Sequence, residues 1–247
     1  MATKLDGVQT GILEAPLTVE RPVYNPTSEQ NERLPNPGTA RANLAPSLDT
    51  PEGSQAWAAA HAHQTVLEAH VNFFDHDSDG VIWPLDTYRA FRALGFNVLA
   101  STIAFIGLHA ALSYVTVDGY LPDPCFRMYV RNIHKIKHGS DTGAFDNEGR
   151  FIPQKIEDFF QKYSSAPEKD SLTKADISNG LRGQRLLADL VGRFAAYAEW
   201  MAFFFIVGPK DGKLLKEDVR RLFEGRLFYE IAERNSKRAV GAEKKGE

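Results

Sequence analysis

The sequence of 247 residues lacks several features that would identify a protein class. It has one cysteine, Cys125, so an internal disulfide and a cysteine-based zinc site are excluded. Its 29 basic and 32 acidic side chains nearly cancel, which leaves no overall charge to attract nucleic acid. No basic stretch followed by an apolar run occurs at the start of the chain. We therefore expect a protein that is not secreted and binds no nucleic acid.

Proline is scarce outside the N-terminal region, since seven of the 13 prolines lie in the first 51 residues. That region is also poor in aromatic residues, and we expect residues 1–54 to be disordered or extended. Helical periodicity then predicts a folded domain over residues 55–235 and a flexible charged tail over 236–247. Within the domain, the pattern assigns 63–97 to a helix-loop-helix unit, 98–130 to an apolar segment with a proline turn, and 131–235 to a C-terminal helical part.

A long apolar run, VLASTIAFIGLHAALSYVTV, covers residues 98–117 without a charged side chain and has the length of a membrane-spanning helix. Pro122 and Pro124 follow and must end any helix there. A second, partly apolar segment comes next at 125–130. The region therefore predicts a hydrophobic helical hairpin inserted from one side of a membrane. A buried core helix in a soluble protein explains the run equally well at this stage.

The stretch DHDSDGVIWPLD has the spacing of an EF-hand calcium loop. Three aspartates alternate, a glycine stands sixth for the sharp turn, a backbone carbonyl is available seventh, and a carboxylate stands twelfth. These residues are Asp75, Asp77, Asp79, Gly80, Val81 and Asp86. Because Asp86 replaces the longer glutamate that normally supplies two oxygens, we expect weaker calcium selectivity and some magnesium binding.

Two later segments, 148–160 and 211–223, align without gaps with residues 79–91 of this region. All three share an acid-Gly pair, an apolar residue two positions after the glycine and a closing Phe. Only the first keeps the ligands, so the other two predict degenerate EF-hand-like repeats that bind no metal. One of them would pair with the intact loop, unless the similarity of these short segments is a coincidence. The predicted fold is mainly α, an EF-hand-containing helical domain with a hydrophobic helical hairpin and degenerate EF-hand-like repeats.

Three of the seven histidines are candidate ligands. His70 lies on the apolar stripe of the helix that enters the acidic loop, where a histidine is more often a core residue than a ligand. His134 and His138 are four residues apart and would share one face if their segment were helical.

Three segments together resemble a known family: HVNFFDHDSDGVIWPLDTYRAFRALGFN, NIHKIKHGSDTGAFDNEGRFIPQKIEDFFQKY and GRLFYE. They are similar to the caleosins, the peroxygenases of plant and fungal lipid droplets, over about residues 57–230, and we expect a fungal-type or divergent member. The resemblance implies one calcium-binding EF-hand, a hydrophobic hairpin with a proline turn, and a haem held by two histidines. His70 and His138 occupy the matching positions, and His134 is the weaker candidate. Asp123 and Arg127 depart from the family pattern at the proline turn.

The resemblance implies a haem-dependent peroxygenase that transfers oxygen from fatty-acid hydroperoxides to unsaturated lipids or other acceptors. It implies a location on the cytosolic face of lipid droplets and the endoplasmic reticulum membrane, and a homo-oligomer is compatible with it. Two alternatives stay open: a non-catalytic calcium-binding coat or tethering protein of lipid droplets, and a soluble calcium sensor. The implied site residues are His70 and His138 for the haem iron and catalysis, Asp75, Asp77, Asp79, Val81 and Asp86 for calcium, and Pro122 and Pro124 for the turn.

Overall fold

The computed structural model describes residues 4–5, 8–9, 24–209 and 211–246. This part of the chain is mainly helical, as the sequence predicts. Its α-helices are α1 (Ser28–Arg33), α2 (Gln55–Ala60), α3 (Val66–Val71), α4 (Pro84–Ala93), α5 (Val98–Thr116), α6 (Pro153–Tyr163), α7 (Lys174–Gln184), α8 (Leu190–Val207), α9 (Lys216–Phe223) and α10 (Arg226–Gly246). Two 3-10 helices, Asn72–Phe74 and Val130–Ile136, join them.

The strands within the described ranges are short and pair in twos. They are β1 (Lys4–Leu5), β2 (Val8–Gln9), β3 (Val81–Ile82), β4 (Met128–Tyr129), β5 (Ser171–Leu172) and β6 (Leu214–Leu215). The pairs β1–β2, β3–β4 and β5–β6 are all antiparallel. The last two pairs hold distant parts of the chain together, because each joins segments more than 40 residues apart.

The repeats pair differently from the prediction. The strand of the acidic loop, β3, lies against β4, which follows the proline turn, and not against either repeat. The strand of the 211–223 repeat, β6, instead pairs with β5, a segment that the alignment did not include. Phe151 of the 148–160 repeat forms bridges with Phe145 and Arg41. The predicted pairing of a repeat with the intact loop is therefore wrong.

The main core combines apolar positions of the two later repeats with residues of β5, α7, α8 and α10 that belong to no repeat. Phe151, Leu172 and Leu214, one from each of three short extended segments, have no exposed surface. Phe160, Ile177 and Val219, from α6, α7 and α9, pack in the same cluster. The periodicity seen in the sequence thus marks core residues, although it does not give their partners.

The structure differs from the predicted disorder of residues 1–54 over the part that it describes, residues 24–54. Tyr24, Leu34 and Leu48 form a small buried cluster, and Ala45 is buried in the main core. Residues 1–3, 6–7 and 10–23 lie outside the described residues. The tail also differs from its prediction, since α10 continues as a helix to Gly246. The disorder of the N-terminal region is predicted from its low overall hydrophobic content, whereas a few apolar residues, among them Tyr24, Leu34 and Leu48, are enough to pack it against the fold.

Helices α5 and α8 are long and apolar enough to cross a membrane, judged by length and composition. In α5 the buried residues are all polar: Ser101, His109, Ser113 and Thr116. Its large apolar side chains, among them Leu99, Ile103 and Ile106, are exposed. This arrangement is the reverse of a core helix in a soluble protein, and it is compatible with association with a membrane or lipid droplet.

The predicted helical hairpin has only one helical limb. After the turn the chain returns as strand β4, which pairs with β3 of the acidic loop. The return segment is too short and too tightly bound to that loop to form a second apolar helix. A helix and an extended segment therefore flank the proline turn.

Candidate functional site

The acidic loop gathers three carboxylates at one point. Asp75, Asp77 and Asp79 each offer an oxygen, and these oxygens lie within 4.8 Å of one another. Asp75 is buried, whereas Asp77 and Asp79 are exposed. Carboxylate oxygens at this spacing are suitable ligands for a hard cation such as calcium or magnesium. No other group of three or more His, Cys, Asp or Glu side chains with this geometry occurs in the described part of the chain.

The Asp75 side chain organises the loop by binding two of its backbone amides. Its two carboxylate oxygens accept hydrogen bonds from the amides of Asp79 at 3.2 Å and Gly80 at 2.9 Å. Gly80 adopts φ 83°, a left-handed conformation that favours glycine. Burial raises the pKa of the Asp75 carboxyl, and the charges of Asp79 and Asp77 raise it further. A bound cation would relieve this repulsion.

The other predicted calcium residues lie at the end of the loop. Val81 lies in β3 opposite Tyr129. Asp86 is not part of the three-carboxylate group; its Oδ2 accepts a hydrogen bond from the Trp83 amide at 3.2 Å, at the start of α4. The twelfth position of the loop therefore caps a helix in this structure, which its short side chain permits.

His70 lies on α3 against the C-terminal part of the chain. Its Nδ1 is 2.8 Å from the carbonyl oxygen of Leu222, so Nδ1 carries the proton and donates it, and Nε2 keeps its lone pair. Phe228 and Phe145 flank the ring, with centroids 5.2 Å and 6.2 Å away. Burial lowers the pKa of His70, and the hydrogen bond to Leu222 opposes this only in part. The imidazole is thus neutral and has an aromatic side chain on either side of its ring.

His138 lies in a loop beside the start of α8. Its Nδ1 is 3.2 Å from Oδ2 of Asp189, which also accepts the amide proton of Ser140 at 2.9 Å. Burial acts to raise the pKa of the Asp189 carboxyl, but hydrogen bonds from Ser140, Gly192 and His138 outweigh it and lower the pKa. The ionised Asp189, together with the Ser140 amide that lies 3.2 Å from Nδ1, therefore orients the imidazole. A Cβ added at Gly192 would overlap with both side chains.

A second acidic residue, Glu199 of α8, interacts electrostatically with His138. The protein packed around its carboxyl raises the pKa, the proximity of His138 lowers it and the charge of Asp141 raises it, although the residue as a whole is exposed. Glu199 is therefore protonated at higher pH than an ordinary glutamate. Neither Asp189 nor Glu199 belongs to a motif that the sequence singles out, because each approaches His138 only through tertiary packing.

His134 and His138 do not share a helical face. His134 is in the 3-10 helix Val130–Ile136, which ends before His138, and Lys137 adopts φ −55° and ψ 139°. The chain leaves the helix at that point, so a four-residue spacing no longer places two side chains together. The condition under which the two histidines would share a face is therefore not met.

Pro122 and Pro124 flank Asp123 in the turn that follows α5. The Phe126 amide donates to the Asp123 carbonyl at 3.1 Å, which closes a tight turn with Pro124 at its second position. The Asp123 carboxylate accepts hydrogen bonds from Arg127 Nε at 2.9 Å and from the Tyr129 hydroxyl at 2.8 Å. The two charges that depart from the family pattern thus neutralise each other.

This turn is connected to the acidic loop and to α5. The Arg127 guanidinium lies 5.1 Å from the centre of the Trp83 ring, and Trp83 is part of the acidic loop. On the other side, His109 of α5 contacts Thr87 Oγ1 at 2.8 Å and the carbonyl of Phe126 at 2.6 Å. One buried histidine therefore joins α4, α5 and the turn.

Comparison with known proteins identifies the family of this chain. The family model described as "Caleosin related protein" matches residues 62–232, which include the acidic loop, the apolar helix and both candidate histidines. The chain belongs to the caleosin family. As in the sequence-based resemblance, the match extends over most of the described chain.

The chain is also similar to several plant proteins. A peroxygenase of Lilium longiflorum is 38% identical over 218 residues, which cover 88% of this chain and 89% of the lily protein. "Probable peroxygenase 4" of Arabidopsis thaliana is 35% identical over 69% of this chain and 87% of its own length. A "probable inactive peroxygenase-like protein" of the same plant is 28% identical over 60% and 70%. No solved structure matches this chain.

Proposed function

We propose that this caleosin is a calcium-binding haem peroxygenase of lipid droplets or membranes. It would transfer oxygen from fatty-acid hydroperoxides to unsaturated lipids or other acceptors. The observation that carries the proposal is the state of His70, a neutral imidazole whose Nδ1 proton is donated to a backbone carbonyl and whose Nε2 is left as a donor to iron. The identity to two proteins named as peroxygenases supports the same reaction class.

The side chains fit a haem ligand set in chemical terms. A histidine that binds a metal through one nitrogen usually donates its other N–H to a carbonyl or carboxylate, which fixes the tautomer. His70 has a carbonyl partner in Leu222, and His138 has a carboxylate partner in Asp189. We infer that both would serve a bound haem, one by holding the iron and the other as an exchangeable ligand or acid-base partner.

The surroundings of the two histidines support different roles. Phe145 and Phe228 make the His70 site apolar, which suits a permanent ligand of a hydrophobic cofactor. His138 has Asp189 and Glu199 as acidic neighbours, which suits a group that holds and moves a proton during peroxide cleavage. When bound, the haem would supply the iron chemistry of oxygen transfer, and these side chains would orient it and handle protons.

The calcium site of the proposal is the group of Asp75, Asp77 and Asp79, with the Val81 carbonyl and Asp86 as the remaining EF-hand ligands. His70 is five residues before Asp75, with only a 3-10 turn between them. Closing the loop around calcium would therefore change the orientation of α3 and of its histidine. We propose that calcium controls the haem site by this route.

The exposed apolar side chains of α5 support the proposed location on the cytosolic face of lipid droplets and the endoplasmic reticulum membrane. The paired Asp123 and Arg127 lie in the turn that follows this helix, where a neutralised pair is less costly near a lipid surface than separate charges.

The absorption spectrum of purified full-length protein loaded with haem tests the function most directly. We expect a haem band that is lost in His70→Ala, weakened or shifted in His138→Ala, and kept in the control His134→Ala. The same samples should epoxidise oleate with cumene hydroperoxide only when the band is present. A band that survives His70→Ala would contradict the ligand assignment.

A normal haem band without oxygen transfer would instead favour a non-catalytic coat or tethering protein. The relative named as probably inactive gives that alternative a precedent in the family. Flotation with lipid droplets, measured with and without residues 98–130, would then separate a coat protein from a soluble calcium sensor.

A further inference from the structure

Helix α8 exposes an apolar stripe along its whole length. Leu190, Phe194, Tyr197 and Phe205 are all more than half exposed, and Phe194 is 74% exposed. Their spacings of four, three and eight residues place them on one side of an α-helix. The loop before the helix continues the apolar surface through Leu187, which is 85% exposed.

The opposite side of α8 is packed into the protein. Ala196, Trp200, Phe203 and Ile206 are buried, and Trp200 stacks on Phe159 of α6 with ring centroids 5.3 Å apart. The helix is therefore held firmly by one side, and its apolar stripe is not a consequence of loose packing. A contiguous exposed patch of large apolar side chains usually marks an interaction surface.

Three arginines lie beside the first half of this stripe. A cleft of about 340 Å³ between α7 and α8 is lined by Arg182, Arg185 and Arg193 together with Leu190 and Phe194. None of the three arginines forms an ion pair within the described ranges, and Arg182 donates to the side-chain oxygen of Asn179 at 2.8 Å. Asp189, which directly precedes α8, already interacts with His138, Ser140 and Gly192.

The stripe is continuous with the apolar surface of α5. Phe205, at the end of α8, contacts Phe96 with ring centroids 4.7 Å apart, and α5 begins two residues after Phe96. The exposed face of α5 carries no charged residue, since none occurs in that helix. The arginines thus add a cationic end to a stripe whose own residues, Leu190, Phe194, Tyr197 and Phe205, are uncharged.

We propose that α8 is a second lipid-contacting element, and that the arginine cleft binds the anionic headgroups of a membrane surface. The stripe of Leu190, Phe194, Tyr197 and Phe205 would lie in the interface beside the acyl chains. Arginine suits this position because its guanidinium binds phosphate and carboxylate groups while its stem covers apolar surface. Neither the haem nor the catalytic reaction is needed for this contact, which therefore goes beyond the proposed function.

Vesicle binding tests the charge requirement. Full-length protein is mixed with phosphatidylcholine vesicles with or without phosphatidylserine, and the bound fraction is measured by flotation. Each arginine near an anionic surface contributes about 1 kcal/mol, which is about fivefold in the binding constant. Three arginines therefore raise the binding constant by up to roughly 100-fold, and by at least about tenfold when salt screens their charges. We expect R182Q/R185Q/R193Q to lose this phosphatidylserine-dependent gain and to keep binding to neutral vesicles.

The matched control removes three exposed cations that carboxylates already neutralise. Arg150 pairs with Asp146, Arg226 with Glu230, and Lys237 with Glu233. The variant R150Q/R226Q/K237Q therefore has the same change in net charge, and we expect it to keep the gain. An equal loss in both triple variants would overturn the assignment, because it would show a nonspecific effect of net charge.

Fluorescence quenching tests contact of the stripe independently of how α5 binds. We expect Phe194→Trp to add tryptophan emission that brominated lipids quench, whereas Leu215→Trp, an exposed position on β6, should add emission that they do not quench. Vesicle-bound protein in which the Phe194→Trp signal stays unquenched would rule out docking through α8.

Two other occupants of the surface give different outcomes. If the arginine variant weakens binding of monomeric oleate but leaves the vesicle gain intact, the cleft binds free fatty-acid carboxylates and the proposed docking is wrong. If Leu190→Gln with Phe194→Gln changes the oligomeric state in sedimentation and leaves vesicle binding intact, the stripe is a contact between copies of the chain, which also overturns the proposal.

Discussion

At the scale of single residues, Gly225 determines how closely α3 can approach the end of α9. It adopts φ 83°, and a Cβ there would lie 2.8 Å from the Cα of His70 and overlap with the carbonyl oxygen of Ala69. This contact explains the glycine of the GRLFYE segment in physical terms. It also keeps His70 within reach of the Leu222 carbonyl.

We predict that Gly225→Ala destabilises the protein by about 2–4 kcal/mol. The alanine would be strained in the left-handed conformation, and its Cβ would overlap with the backbone of α3. Chemical denaturation of the apoprotein measures this effect, and the haem band should weaken with it. Gly241→Ala is the matched control, since its Cβ would meet nothing within 4 Å and alanine favours a helix. Equal stability of Gly225→Ala and the parent would contradict the packing argument.

Asp123 gives a prediction for acid pH. The hydrogen bond from Arg127 holds its pKa at about 2, below the ordinary 3.8, against the opposing effect of burial. A lowered pKa in the folded state means that the stabilisation is present above pH 3.8 and is lost as the pH falls from there to about 2. Denaturation midpoints measured over that interval should fall more steeply in the parent than in Asp123→Asn. Parallel curves would show that the pair contributes no pH-dependent stability.

At the scale of elements, the acidic loop and the proline turn form one unit. Strand β3 pairs with β4, and Ile82 packs in a cluster with Met128, Val130 and Leu67 of α3. A change in the loop on cation binding can therefore reach the turn directly and α5 through His109. The apolar helix and the histidine helix α3 are both attached to the same loop.

Asp86→Glu is the prediction that belongs to this element. A glutamate at the twelfth position can supply two oxygens to the ion, so we expect roughly tenfold tighter calcium binding and better discrimination against magnesium. Isothermal titration with each ion checks this, and Asp86→Asn should shift calcium affinity in the opposite direction. If neither variant alters calcium affinity, Asp86 acts only as the cap of α4 that its bond to the Trp83 amide indicates.

At the scale of the whole molecule, a buried ionic network attaches the N-terminal segment to α9. Arg220 is among the most buried side chains and donates to the Ala45 carbonyl, to Ser54 Oγ and to Glu224, all at 2.8–3.1 Å. Burial raises the pKa of Glu224, and Arg220 counteracts that rise. Residues 45–54 thus complete the polar interior of the domain.

We predict that Arg220→Ala costs about 3–5 kcal/mol, because Glu224 would be left buried without its cation. Thermal and urea unfolding would measure the loss, with the exposed Arg238→Ala as the control. Removing Glu224 as well, in Arg220→Met with Glu224→Leu, should recover much of the stability. A double variant no more stable than Arg220→Ala would show that packing, and not the unpaired charge, accounts for the cost.

The sequence by itself determined the features that depend on residues close together in the chain. The aspartates at 75, 77 and 79 come together because two-residue spacing and the turn at Gly80 place them so. The apolar length of α5 and the family membership are likewise readable from local composition and motifs. These properties need no knowledge of distant partners, which is why pattern and spacing are sufficient.

Only the tertiary structure decided which segments meet. Residues far apart in sequence meet in the pairing of β3 with β4 and of β5 with β6, and in the contacts of Leu222 with His70 and of Asp189 with His138. The polar buried side of α5 depends on which side of the helix the fold turns inward. Short strands with similar apolar residues can pair in several ways with nearly equal local energy. The packing of the whole core selects one arrangement, and that arrangement also leaves Arg182, Arg185 and Arg193 without carboxylate partners in the part of the chain described here.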